Sequence, residues 1–325
     1  MHARHRLVSL SIALFTVLAG PWARAADPWP TKPIRIIVPY TPGGLVDVLA
    51  RLIGAKISPK LGQPVVVENK PGASTAIGAE FVAKSAPDGH TLLLATTTTL
   101  STNPLMFKRL SYKTSEFTPV ALLAMVPFIA VANPGAPFSN VKELMDYAKV
   151  NPGKITFSTS GVGTASHLIG ELFAAATGTK LTDIPYKGTN PAMMAVLSGE
   201  VTMAFDSAGL YTAPVQSGRL KAIAQFGDTR MPAFDKLPTM LENGFKDAVS
   251  TAWFGIVAPS GTPKDVVTKL NEAVAKAMRD PEVVPKLYEF NGYIEPHSPE
   301  QFRALLQRET LLWSSVLAPL NIRLD

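Results

Sequence analysis

Short runs of isoleucine, valine and leucine alternate with helical stretches from residue 34 almost to the C terminus, and this alternation restricts the fold more than any other feature. Residues 34–39, 65–68 and 91–96 read as strands, with helices at 45–57 and 75–84 between them. Strands that are apolar throughout, rather than at every second residue, belong in a parallel sheet covered on both faces. The pattern restarts after Pro119, with strands at 128–131, 155–160, 183–186, 201–205 and 220–225 and helices at 141–149, 164–177 and 191–197. One more strand at 253–258 precedes two long helices, 264–278 and 299–317. The first of these carries Leu270, Val274 and Met278 on a single face.

A C-terminal segment with one strand makes a poor independent domain, so it is expected to return and complete the first unit. The expected class is α/β in two lobes, residues 26–123 plus 251–325 and residues 124–250, with crossings near Leu123 and Ser250. Two such lobes enclose a cleft, and ligands of open α/β sheets sit at the carboxyl ends of strands.

The first 25 residues stand apart. Arg4 and Arg6 precede an apolar run, and Ala23-Arg24-Ala25 offers small residues where a signal peptidase reads, so the segment reads as a cleavable export signal and places the protein in the periplasm. Its loss removes three arginines and lowers the formal charge from +6 to +3. The remaining basic residues are scattered, which argues against a nucleic-acid partner. With no cysteine, disulfides, thiol catalysis and cysteine-ligated metals are excluded.

Two glycine-rich corners stand where a strand turns into a helix: Tyr40-Thr41-Pro42-Gly43-Gly44, and Gly161-Val162-Gly163-Thr164-Ala165-Ser166-His167. A helix start exposes unpaired N–H groups, and a glycine-rich approach lets an anion reach them. Each corner is also readable as a plain turn, but two matching corners in matching halves suggest an anion clamp. Asp47 follows at the third helical position, where a carboxylate braces the loop by accepting its N–H groups. Ser166 and His167 are adjacent on a helix and so diverge, there is no GxSxG elbow, and the sparse histidines lack metal spacing; neither an enzyme nor a metal site is expected.

These corners, together with "IPYKGTNPAMMAVLSGEV", "MAFDS", "SGRLKAIA" and "WFGIVAPSGTP", resemble the Bug-type solute receptors of tripartite tricarboxylate transporters over nearly the whole chain after the export signal. The resemblance implies a type II-like periplasmic-binding-protein fold, a small carboxylate ligand, membrane permease subunits as partners and no cofactor. It also implies that Thr41, Gly43, Gly44, Gly163, Thr164 and Ser166, with Tyr40 in the first loop, hold one ligand carboxylate. Neither loop contains lysine or arginine, so such a clamp works by oriented dipoles.

At the other end of the cleft, Tyr186 matches the family's tyrosine loop and Asp206 its Phe-Asp position. Asp206 is readable as a ligand contact or as a helix cap. Thr98 lies in the hydroxyl-rich run Thr96 to Thr99, which reads either as a specificity element or as a threonine-rich strand edge. Trp253 and Phe254 read as core, with stacking on a ligand as the lesser alternative. A periplasmic sensor of the same fold, or an exported hydrolase, are the competing functions.

Overall fold

The computed structural model describes residues 29–43, 45–293 and 298–320, so the export signal, Gly44 and His297 lie outside the described residues. In the first part, β1 (Ile34–Val38), α1 (Leu45–Leu61), β2 (Val65–Asn69), α2 (Ala76–Ala83) and β3 (Thr91–Thr96) follow the expected order. The run after β3 does not stay extended. It winds into a π-helical turn, Thr98–Thr102, and a short α3 (Asn103–Met106), so the strand-edge reading of the threonines fails beyond Thr96.

Next comes β4, Phe117–Ala132, four times the expected length. Pro119 concealed it, since a residue without an N–H ordinarily ends a ladder. Here Pro119 sits beside a register shift and Pro127 ends the pairing with the neighbouring strand, positions at which the missing donor is tolerated. The chain continues through α4 (Val141–Val150), β5 (Thr156–Thr159), α5 (Ala165–Thr177), β6 (Thr182–Pro185), α6 (Thr189–Ser198), β7 (Met203–Ser207), α7 (Ala208–Gln216) and β8 (Lys221–Gln225). It closes with β9 (Thr251–Pro259), α8 (Lys264–Met278), α9 (Val283–Glu289) and α10 (Pro299–Leu320).

The strands form one sheet in the order β2-β1-β3-β9-β4-β7-β5-β6, and β8 pairs with the second part of β4. It is mixed rather than parallel. The sets β2-β1-β3 and β6-β5-β7 are parallel within themselves, whereas β9 and β4 run antiparallel to their neighbours. β4 pairs with β9 through Pro127 and with β7 from Phe128 onward, so one strand belongs to both halves of the sheet.

The edge strands β2 and β6 stay partly exposed, while the inner strands of each half are covered on both faces. In the first, Ile34, Ile36 and Val38 pack against α1 and α8, while Ile37, Leu93 and Ala95 pack on the other face with α2. In the second, Phe157, Phe205 and Leu168 share one cluster and Ile129, Ala204 and Tyr211 another. Helix α10 contributes to both halves: Phe302, Leu305 and Leu306 enter the cluster under α2, and Trp313, Val316 and Leu317 enter the one under α5.

Candidate functional site

Strand polarity decides where the loops gather. Thr96 at the end of β3 lies opposite Phe254, which lies opposite Ala124 of β4, and Ser207 at the end of β7 lies opposite Phe128. The carboxyl ends of both parallel sets therefore come level with one short stretch of β4.

At the first corner, Thr41 and Gly43 are exposed and Gly43 has φ +92°, a left-handed conformation that favours glycine. Its N–H, expected to face a ligand, instead donates to Asp47 Oδ2 at 3.0 Å. Asp47 is 4% exposed and lies in the first turn of α1. Its carboxylate also accepts from Arg51 Nε at 3.0 Å and Asn69 Nδ2 at 2.9 Å, and Asn69 donates in turn to the Tyr40 carbonyl at 3.1 Å. The Arg51 guanidinium, aided by Gly43 and Asn69 and opposed by burial, brings the Asp47 carboxyl down to about 2.

Tyr40 joins this corner to the threonine turn, its hydroxyl lying 2.9 Å from Thr96 Oγ1. Burial pushes the Tyr40 hydroxyl up, against hydrogen bonds from Thr96 and Thr98. Thr98 is half-buried at the start of the π-turn, and Thr99 Oγ1 is 3.2 Å from Thr96 Oγ1. Asn103, fully buried, donates to the Ser74 carbonyl and the Thr75 hydroxyl and pins the loop after β2 to the same group. Ala73, Ser74 and Thr75 all have positive φ there, which no residue type in the sequence announced.

The second corner repeats the first. Gly163 has φ +77°, its N–H donates to His167 Nδ1 at 3.1 Å, and α5 starts two residues later at Ala165. In both corners a left-handed glycine precedes the helix by two residues, and the acceptor for its N–H is the third residue of that helix. Thr164 donates from Oγ1 to the Gly161 carbonyl at 2.6 Å and lies 3.1 Å from Ser166 Oγ. Buried Ser166 accepts the Ser160 N–H at 2.9 Å. Ser166 and His167 thus serve different partners, and no nucleophile-base pair forms between them.

Asp206 lies at the end of β7, 8% exposed, with Oδ1 accepting the Ser207 N–H at 2.7 Å. Burial outweighs that hydrogen bond and pushes its carboxyl up to about 6. It does not reach into α7, which begins at Ala208, so the capping reading is reduced to this one contact. Tyr186 directs its hydroxyl to Glu200 Oε1 at 2.7 Å; desolvation, then Glu200, push it up to about 12. Trp253 is fully buried, edge-on to Phe302 with ring centroids 5.3 Å apart, and belongs to the core. Asn69, Asn103 and the bracing side of His167 were missed in the sequence. A glycine followed four residues later by a side-chain acceptor was the signal available for His167.

Residues 49–322 match the family described as "Tripartite tricarboxylate transporter family receptor". Among solved structures, "periplasmic binding protein BugD" is 35% identical, with TM-score 0.75 over 91% of this chain and 99% of that one. Rpa4515 of R. palustris, solved with adipate, is 33% identical, with TM-score 0.77 over 89% and 97% of the two chains. MatC of Rhodopseudomonas palustris, with bound malate, is 31% identical, with TM-score 0.75 over 89% and 100%. The fold is that of these periplasmic binding proteins.

Proposed function

The chain belongs to the tripartite tricarboxylate transporter receptor family, whose members bind solutes and are not enzymes, and from this premise we propose that it captures a small carboxylate in the periplasm and delivers it to membrane permease subunits. The observation that carries this reading is the mirrored pair of corners, built alike in the two halves and free of lysine and arginine. Gly43 and Gly163 are committed to their braces, Thr164 turns both its N–H and its hydroxyl to the Gly161 carbonyl, and the Ser160 N–H is held by Ser166, so what remains for a ligand is the Thr41, Ser160 and Ser166 hydroxyls and the other N–H groups of each turn. Dipoles fixed in this way hold an anion with little reorganisation. The adipate and malate of the two related structures support a small carboxylate as the solute.

The two-lobe division at residues 26–123 plus 251–325 and 124–250 belongs to the same proposal, with α10 as a third connection between lobes. Thr41, Thr164 and Ser166, with Tyr40, then belong to the carboxylate end, and Asp206 and Thr98 to the end that ranks ligands. A buried carboxyl pushed up to about 6 favours a ligand that brings a hydroxyl or ammonium donor to it over one that brings a second bare carboxylate.

A thermal-shift screen of carboxylates on ligand-stripped protein tests the reading, since selective binding to the folded state raises its apparent stability. Thr164→Val should weaken every carboxylate found, by about 1–3 kcal/mol, because it removes the hydroxyl that holds the Gly161 carbonyl and fixes the turn presenting this corner. Asp206→Asn should reorder the ligands instead. Full affinity in a well-folded Thr164→Val protein would place capture elsewhere, and turnover of the bound compound would sink the receptor reading.

A further inference from the structure

We infer that His167 is the positioning residue of the second corner, acting as a neutral imidazole whose Nδ1 lone pair holds the Gly163 N–H in the role that Asp47 performs at the first. The inference rests on the corner being the capture site, but its geometry stands without a ligand. Nδ1 accepts at 3.1 Å, so in the neutral ring the proton sits on Nε2. That nitrogen lies 3.8 Å from Glu171 Oε1 and 3.9 Å from Asp183 Oδ2, two carboxylates that favour a proton on their side of the ring. His167 is 5% exposed, which holds the ring in this orientation.

The same three side chains bring ligating atoms within 4.8 Å of one another, as a metal site would. A metal on Nε2 would move the proton to Nδ1, where it would meet the Gly163 N–H head on. The brace and a metal exclude each other, and the observed contact selects the brace.

Acid has the same effect as a metal. A second proton on the ring must go to Nδ1, turning the acceptor into a donor against Gly163. The charged groups facing His167 among the described residues are Glu171, on its own helix, and Asp183, on β6. β5 presents no charge, and alternation along β7 puts Asp206 on the opposite face from Phe205, which packs with α5. Lys246 and Asp247 sit near Ala176, at the far end of α5, and α10 meets this cluster through Trp313 and Leu317. Burial lowers the affinity of the ring for that second proton, against the pull of Asp183, so the neutral form persists below the ordinary histidine range. The first corner, braced by a strong acid, keeps its acceptor through the same range. Ligand capture is therefore expected to weaken in acid through one corner alone.

Isotope-labelled histidine and glycine in the ligand-free protein provide the test, followed by nuclear magnetic resonance from about pH 8 to about pH 5. The expected result is a neutral His167 with its proton on Nε2, and a Gly163 amide shift that moves with the same midpoint as the ring. A neutral ring protonated on Nδ1, or a Gly163 amide indifferent to His167, overturns the inference. Two variants separate its two nitrogens, because asparagine places an acceptor where Nδ1 stands and glutamine a donor where Nε2 stands. With malate as probe, His167→Asn should keep affinity near neutrality and lose the acid dependence. His167→Gln should be weaker than wild type by about tenfold near neutrality, and the gap should close in acid as the wild-type brace is lost. The reverse order overturns the brace. Malate affinity unchanged in both variants, with the resonance result intact, leaves the brace standing and overturns the corner as the capture site.

Discussion

Replacing Trp313 with alanine should lower the unfolding free energy by about 3–5 kcal/mol, on the order of 10 °C in Tm. The side chain is 1% exposed, in the cluster with Phe157, Phe205 and Leu168, and it anchors the second part of α10 after Phe302, Leu305 and Leu306 have anchored the first. Truncation leaves a cavity that a helix fixed at its other end cannot collapse to fill. It also strips buried Glu309 of the indole N–H that donates to its Oε2 at 3.1 Å. Burial already pushes the Glu309 carboxyl up to about 7 from 4.5, so its contribution to stability is complete below about pH 4.5 and is lost as pH rises through about 7. The variant should accordingly lose most at neutral and alkaline pH and least in mild acid. Chemical denaturation at several pH values measures this, and a loss under about 1 kcal/mol would show that Trp313 does not fasten α10.

Asp47→Ala should destabilise by about 2–3 kcal/mol and weaken carboxylate binding at least tenfold. Three donors lose their acceptor at once: the Gly43 N–H, the Asn69 amide and the Arg51 guanidinium. Asn69 also holds the Tyr40 carbonyl, so the loss spreads along the loop. The sign with pH is opposite to that of Glu309. A carboxyl lowered from 3.8 to about 2 stabilises the fold above the upper value, and that contribution disappears as pH falls through the lower one. The gap between wild type and variant should hold from neutrality down to about pH 4 and close below it. A gap unchanged at about pH 2, in calorimetric scans, would mean that Asp47 acts through shape rather than charge.

Much of this was legible in the chain. Apolar and β-branched runs located all nine strands near their observed places, β4 only over its last part, because burial of the inner strands leaves a strong local mark, and the two glycine corners were visible as corners. The continuous course of β4 was not, since Pro119, which read as a break, and Pro127 are both accommodated by pairing that only the tertiary fold supplies. The commitment of Gly43 and Gly163 to their own helices was likewise hidden. A corner's glycines can be read from sequence, but whether their N–H groups face outward depends on a side chain one turn further on. Asn103 was invisible for a related reason, its partners Ser74 and Thr75 lying 29 and 28 residues away.

The two halves share β4 without an unpaired residue between the last partner from β9 and the first from β7, so the joint resembles a leaf spring more than a pin. A pin swings freely between two stops. A spring resists in proportion to its deflection, and its strain is spread as a few degrees of twist over many residues instead of large changes at one. We hypothesise that the aperture between the halves is consequently graded: a longer diacid props it wider, a shorter one lets it draw in, and no single shut position exists. Paired spin labels across the mouth, read with diacids of increasing length, should report a distance that climbs with the chain, and one fixed distance for all of them would rule the spring out.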